Sequence, residues 1–153
     1  MRQLNFPKYL FRFKNSENKI AIFDEIRKKF IILTPEEWVR QHVVRFLIDE
    51  CNYPISLINI EKTLKINDMT KRYDIVVYNN DGTINVLVEC KSTDVKISQS
   101  TFDQIARYNL SLKATILMIT NGINHYYCNM DIENKKFIFL EKLPSYISNN
   151  SDI

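Results

Sequence analysis

Glycine is scarce in this chain of 153 residues: there are two, Gly82 and Gly122. Two isolated glycines cannot build a Walker A loop or a G-x-G-x-x-G fingerprint, so neither nucleotide binding of that kind nor a nucleotide-driven motor is expected here. Cysteine is sparse and odd in number, with Cys51, Cys90 and Cys128 far apart and no C-x-x-C. That spacing argues against a disulfide framework and for three reduced thiols in a cytoplasmic protein. With only two histidines, His42 and His125, a zinc site has too few ligands. No apolar run approaches the roughly 18 residues of a membrane span. The opening MRQLNFPKYLFRFK lacks the apolar stretch and cleavage site of a secretory signal, so no membrane association is expected. Charge of neither sign dominates. The net charge is +3 and the pI about 8.7, which permits a nucleic-acid partner without requiring one.

What is present is ordinary globular material, 45% hydrophobic and 25% charged, in a length that suits one domain with a proper core. Residues 8–33 suggest short strands, Leu10 to Phe13, Lys19 to Phe23 and Phe30 to Leu33, with a turn at Asn15-Ser16-Glu17-Asn18. Thr34-Pro35-Glu36-Glu37 has the form of a helix start: a capping threonine, proline at the first position and an acid three residues after the cap. The periodicity carries that helix to about Cys51. Strands follow at Leu57 to Leu64, Arg72 to Tyr78 and Thr83 to Cys90, the last two joined by the Asp81-Gly82 turn signal. A second helix is expected over Ser100 to Lys113, with Phe102, Ile105, Ala106, Asn109 and Leu112 on one face. Strands at Ala114 to Thr120, His125 to Asn129 and Lys136 to Leu140 complete the chain. The order predicts an α/β fold, a mixed central sheet flanked by helices. The expected division is a β-rich N-terminal extension (1–33), a main domain (34–147) and a loose tail (148–153).

Three residues stand out chemically. Asp74 is an acid inside the apolar run Arg72 to Tyr78, a costly position unless it is paired or binds metal. Glu89 and Lys91 close the third strand of the main domain. At i and i+2 they share one face, while Cys90 points into packing. If the Asp74 and Glu89 strands pair around Asp81-Gly82, two carboxylates and a lysine converge. Such a group suits phosphodiester hydrolysis: the acids hold a hard cation and the lysine offsets charge on the phosphate. Acid-x-lysine alone is weak, since Glu17/Lys19, Asp94/Lys96 and Glu133/Lys135 repeat it and read as solvated pairs. Only Glu89/Lys91 follows a buried strand linked to another buried acid. Gln104 and Tyr108 lie four apart beside the apolar stripe of the second helix; a polar helix shoulder is the plainer reading. Glu36 falls in line with Val43 and Leu47, which turns it toward the core edge, although both Glu36 and Glu37 also suit a first turn through the helix dipole.

In order along the chain, FDEIRKKF (Phe23 to Phe30), LTPEEWVRQ (Leu33 to Gln41), KRYDIVVY (Lys71 to Tyr78), VECK (Val88 to Lys91), Gln104 to Asn109 and Thr120-Asn121-Gly122 form a specific set. Together they resemble the PD-(D/E)XK nuclease superfamily. More narrowly they resemble the N-terminal nuclease domain of type I restriction enzyme R subunits, in a short stand-alone form. The resemblance implies a restriction-endonuclease-like fold and a Mg²⁺-dependent deoxyribonuclease, with Mn²⁺ able to substitute. It implies metal binding by Asp74 and Glu89, the lysine role for Lys91, and strand positioning by Gln104 and Tyr108 as a Q-x-x-x-Y element. A helix glutamate completes the metal shell in such proteins; Glu36 is expected here, with Glu37 the alternate. DNA is the implied partner, together with a second copy of the chain or restriction-complex subunits. Tyr73 departs from the family pattern by replacing the proline of the name motif, and no helicase motor is expected with the domain. Two other readings stay open: a binding module that keeps the fold without turnover, and an oligomerising accessory subunit that uses the early strand edges.

Overall fold

The computed structural model describes residues 1–66 and 68–147; the tail expected over 148–153 lies outside the described residues. The described residues form two sheets and two α-helices. A three-stranded antiparallel sheet comprises β1 (Phe13–Ser16), β2 (Lys19–Asp24) and β3 (Lys29–Ile32). The first hairpin begins later than its apolar pattern suggests. Glu17 and Asn18 both take positive φ, so the turn tightens to two residues and Ser16 pairs directly with Lys19.

Helix α1 (Pro35–Asp49) starts as its sequence indicates. The Thr34 hydroxyl accepts from the Glu37 amide at 3.0 Å and Pro35 occupies the first turn, a cap worth about 1 kcal/mol. Then come β4 (Ile58–Ile66), β5 (Met69–Tyr78), β6 (Ile84–Cys90), α2 (Gln99–Leu110), β7 (Ile116–Thr120), β8 (His125–Asp131) and β9 (Lys136–Leu140). Helix α2 begins one residue earlier than its periodicity suggests, because Ser98 rather than a later residue supplies the cap to Thr101 N.

The six strands β4 to β9 lie side by side in chain order. All neighbours are antiparallel except β6 and β7, which are parallel because α2 carries the chain across the sheet between them. Helix α1 covers one face, where Val39, Val43, Val44 and Leu47 meet Ile75, Val77, Val86 and Val88. Helix α2 covers the other, where Phe102, Ile105 and Ala106 meet Val76, Leu87, Leu117 and Ile119. With both faces covered, the central strands are continuously apolar, as β6 and β7 are.

The N-terminal residues join the same core. Leu4 is buried within it and Asn5 N donates to Gly122 O at 2.8 Å. Gly122 must be glycine at this contact: its φ is +89°, and a Cβ would stand 2.9 Å from Leu4 Cδ2 and 3.0 Å from Val39 Cγ2. Cys51, Cys90 and Cys128 are free and buried. Among the described residues no helix is long and apolar enough to cross a membrane.

Candidate active site

Strands β5 and β6 stay in register from Val77↔Val86 to Ile75↔Val88 and then part. The next residue on β5 is Asp74, and the next on β6 is Glu89. At this point a side chain takes over from the backbone ladder: Asp74 Oδ2 accepts from Cys90 N at 2.8 Å. On the other side of Asp74 the β4–β5 ladder also lapses. Glu61 has φ +53°, and pairing jumps from Ile60↔Ile75 to Lys62↔Tyr73. Asp74 thus lies where β5 is released from both neighbours, which frees its carboxylate from the regular pleat.

Asp74 is not alone there. Arg40, buried on α1, donates from Nη2 to Asp74 Oδ1 at 2.9 Å and from Nη1 to Glu37 Oε2. Glu37 Oε1 also accepts from Arg27 Nη2 at 2.6 Å and from Gln41 Nε2 at 2.9 Å. Asp24, at the end of β2, binds the amides of Ile26 and Arg27, the Arg27 guanidinium and Gln41. Burial acts to raise the Asp24 carboxyl, but the Arg27 hydrogen bonds outweigh it and hold the group below the ordinary carboxylate range. Glu61 closes the array on Arg72, with Arg27 3.3 Å and Arg40 3.7 Å away. Arg40, buried, and Arg27, half-buried, therefore tie β2, α1, β4 and β5 together at Asp74.

Glu89 differs from these acids. It is 7% exposed, and its Oε1 is buried with no hydrogen-bond partner among the described residues. Lys71 Nζ stands 3.6 Å from that oxygen, an ion-pair distance too long for a good hydrogen bond. Burial pushes the Glu89 carboxyl up from 4.5 to about 7; Lys71 and Lys91 pull it down and Asp74 pushes it up. Lys71 is held by more than charge, since its Nζ lies 4.8 Å from the Tyr73 ring centroid and 5.2 Å from that of Tyr108. The Tyr73 hydroxyl is buried without a partner. Lys91 is half-buried; its amide donates to Thr120 O at 2.8 Å, and no carboxylate lies within 4.0 Å of its ammonium among the described residues.

The structure thus brings Asp74 and Glu89 to the same break in the sheet and turns Tyr108 toward it through Lys71. It does not do the same for Glu36. That residue is exposed, whereas Glu37 is buried and faces the arginines. The helix-face reading of Glu36 is therefore corrected in favour of its neighbour. Gln104 is exposed and stays on an open groove of about 360 Å³ that it shares with Ser100, Asp103, Arg107 and Tyr108. Arg27, Arg40, Gln41, Glu61 and Lys71 were not singled out by sequence reasoning. A signal existed for Arg40 and Gln41, which are polar residues set between the apolar positions of α1. Glu61 and Lys71 give none, since each looks like a solvated strand residue.

The donor set fits a hard divalent cation. Two carboxylates flank the break between β5 and β6, Asp74 toward Arg40 of α1 and Glu89 toward Lys71 and Tyr108 of α2, and a buried oxygen of Glu89 lacks a hydrogen-bond donor among the described residues. Among the described residues no group of three or more His, Cys, Asp or Glu side chains is arranged to hold a metal. Mg²⁺ does not need one, because it commonly takes one or two carboxylates and fills its remaining positions with water and phosphate.

The raised Glu89 carboxyl predicts a pH dependence in metal-free protein. Between pH 4.5 and about 7 the unfolded chain has already lost this proton while the folded one retains it. Stability therefore falls as pH rises through that window. Glu89→Gln removes the effect. Its stability relative to wild type should climb from pH 4.5 to 7 and then level off, by an upper limit of about 3 kcal/mol at 1.36 per pKa unit. Denaturant melts across that range check this, and parallel curves would show that Glu89 is not desolvated.

Three likenesses to known proteins bear on this geometry. A family profile described as "Type I restriction enzyme R protein N terminus" matches residues 35–144. The DNA double-strand break repair nuclease NurA of Sulfolobus acidocaldarius is 32% identical over 144 residues, covering 88% of this chain and 40% of that protein. A fragment structure provisionally assigned to the HsdR subunit of a type I restriction enzyme from Vibrio vulnificus YJ016 shares the fold. Its TM-score is 0.51 at 20% identity, covering 74% of this chain and 24% of that one. The chain thus spans under half the length of each of these two relatives.

Proposed function

The chain belongs to the family of type I restriction enzyme R protein N termini, and from that premise we propose that it is a metal-dependent DNA nuclease of the PD-(D/E)XK kind. Mg²⁺, or Mn²⁺ in its place, is the cofactor, and phosphodiester hydrolysis in DNA restriction or repair is the reaction. The observation that carries this reading is the placement of Asp74 and Glu89 at the point where β5 and β6 part, with a buried Glu89 oxygen left without a donor among the described residues. A carboxylate oxygen in that state is poorly satisfied by protein alone and well satisfied by a cation. When bound, the metal activates water and screens charge on the phosphate.

The residues divide the remaining work. Asp74 and Glu89 hold the cation, and Glu37 is the helix glutamate nearest to them through Arg40. Lys91, without a carboxylate partner within 4.0 Å among the described residues, is free to offset charge developing on the phosphate. Tyr108 supports Lys71 beside Glu89, and Gln104 lines the groove along which a strand would lie. The NurA likeness adds a second nuclease to the comparison and is consistent with DNA as the substrate.

A second reading is an inactive DNA-binding or accessory module. One observation favours it: Arg40 already neutralises Asp74. The deciding experiment incubates the protein with linear, nicked, supercoiled and single-stranded DNA, in Mg²⁺ or Mn²⁺ and in EDTA. Metal-dependent cleavage is expected, falling by about 10²-fold or more in Asp74→Ala. Calorimetry should show Mg²⁺ binding weakened in the same variant. DNA binding without cleavage of any form would establish the second reading instead.

A further inference from the structure

The net charge of the chain is unevenly placed. Residues 1–33 hold eight lysines and arginines against three acids, +5, whereas the whole chain is only +3. The remainder is therefore −2, and the basic character belongs to the N-terminal segment, outside the residues matched by the family profile.

The structure shows where that charge goes. Asp24 and Glu25 are committed to Arg27 and Lys28. Arg12, Lys14 and Lys19 are exposed, and among the described residues none has a carboxylate within 4.0 Å. The register puts all three on one face of the β1–β2–β3 sheet. Lys14 is opposite Ala21 and Ile32, Ser16 is opposite Lys19, and Arg12 O accepts from Phe23 N, which stands opposite Phe30. Two of these cations are stacked on rings of the same face. The Arg12 guanidinium lies 4.4 Å from the Phe23 centroid, and Lys14 Nζ lies 4.5 Å from that of Phe30. An aromatic ring holds a cation in place without neutralising it, so less side-chain freedom is lost when an anion arrives. Beyond Phe23 on the same strand is Asp24, whose contacts with Gln41 and Arg27 lead through Glu37 and Arg40 to Asp74. The basic face and the candidate active site thus sit on one connected framework.

We infer that this sheet face is a DNA-docking surface, which grips the phosphate backbone of duplex flanking the cleaved bond without regard to sequence. The inference rests on the nuclease reading for its choice of polyanion. Rings already covered by cations are not open to stack bases, so the contact is with phosphates. Each phosphate neutralised releases counterions and adds about 0.9 to the slope of log K against log salt.

The test measures binding of a 30-base-pair duplex by fluorescence anisotropy in EDTA, where nothing is cut, from low to moderate salt. Arg12→Gln/Lys14→Gln/Lys19→Gln should bind at least about tenfold more weakly at low salt, with a slope shallower by about 2 to 3. A control removing equal charge elsewhere, Lys113→Gln/Lys135→Gln/Lys142→Gln, should change the slope by less than 1. The charge-preserving Arg12→Lys/Lys14→Arg/Lys19→Arg should keep the wild-type slope and guards against a folding artefact. Equal losses in the first two variants, or no loss in the first, overturn the docking surface while leaving cleavage by wild type, and so the nuclease reading, intact. A wild-type protein that neither binds nor cuts any DNA overturns both.

Discussion

Arg40→Ala should lower the free energy of unfolding by roughly 3–5 kcal/mol, the range for removing one partner of a buried ion pair. Arg40 is 7% exposed and donates to both Glu37 and Asp74. Without it, Glu37 keeps Arg27 and Gln41, but Asp74 keeps only the Cys90 amide. Two carboxylates are then left close together with half their compensation gone. The loss does not arise from a missing attraction alone. Most of it is the cost of charges that remain buried after their partner has been removed. Urea denaturation of metal-free protein measures this directly. A loss under about 1 kcal/mol would mean that water reaches the cluster and that these contacts behave as surface pairs. The same variant separates two views of Asp74. If Arg40 competes with a metal for that carboxylate, added Mg²⁺ should stabilise Arg40→Ala more than wild type.

The second large effect is expected in catalysis. Lys91→Ala should slow metal-dependent cleavage by about 10²-fold or more, the scale for deleting one electrostatic stabiliser of a transition state. Stability should change by no more than about 0.5 kcal/mol, as for a side chain with no structural partner. The competing role for Lys91 is that of a structural counter-ion for Glu89. The geometry gives that role to Lys71, 3.6 Å from Glu89, whereas Lys91 has no carboxylate within 4.0 Å among the described residues. A lysine kept half-buried at the end of β6, anchored by its amide to Thr120 O, has no evident stabilising duty. Its effect should therefore appear in the rate and not in the melt. Rates and melts on one preparation decide the matter. A large fall in melting temperature with unchanged cleavage would remove Lys91 from the catalytic set.

Much of this architecture was legible before any coordinates. Both helices announced themselves by apolar spacing, and the first also by its capping residues, because those signals act within a few residues and do not depend on the rest of the chain. The central strands were legible as unbroken apolar runs. The Asp81-Gly82 turn joined β5 to β6, and this brought Asp74 and Glu89 to the same end of their ladder. The alternation of a strand likewise turned Glu89 away from Cys90, which lies in the core under α1.

The structure decided what local pattern could not. Helix α1 is buried on most of its circumference, with Val39, Arg40, Gln41, His42, Val43 and Val44 all enclosed. Apolar spacing therefore points to no single inward face, and Glu36 was preferred where Glu37 is the buried acid. The ion network was invisible for a different reason. Asp24 with Arg27, Glu37 with Arg40, Glu61, and Asp74 come from four separate parts of the chain, and apart from Asp74 each alone resembles a solvated charge. Lys71 became a neighbour of Glu89 only through strand pairing and the rings of Tyr73 and Tyr108. Short-range preferences and side-chain periodicity were set by the sequence itself, since they need only the backbone of one element. Which charges meet, and which carboxylate oxygen is left without a donor, was decided by the tertiary structure, because both depend on elements brought together across the sheet.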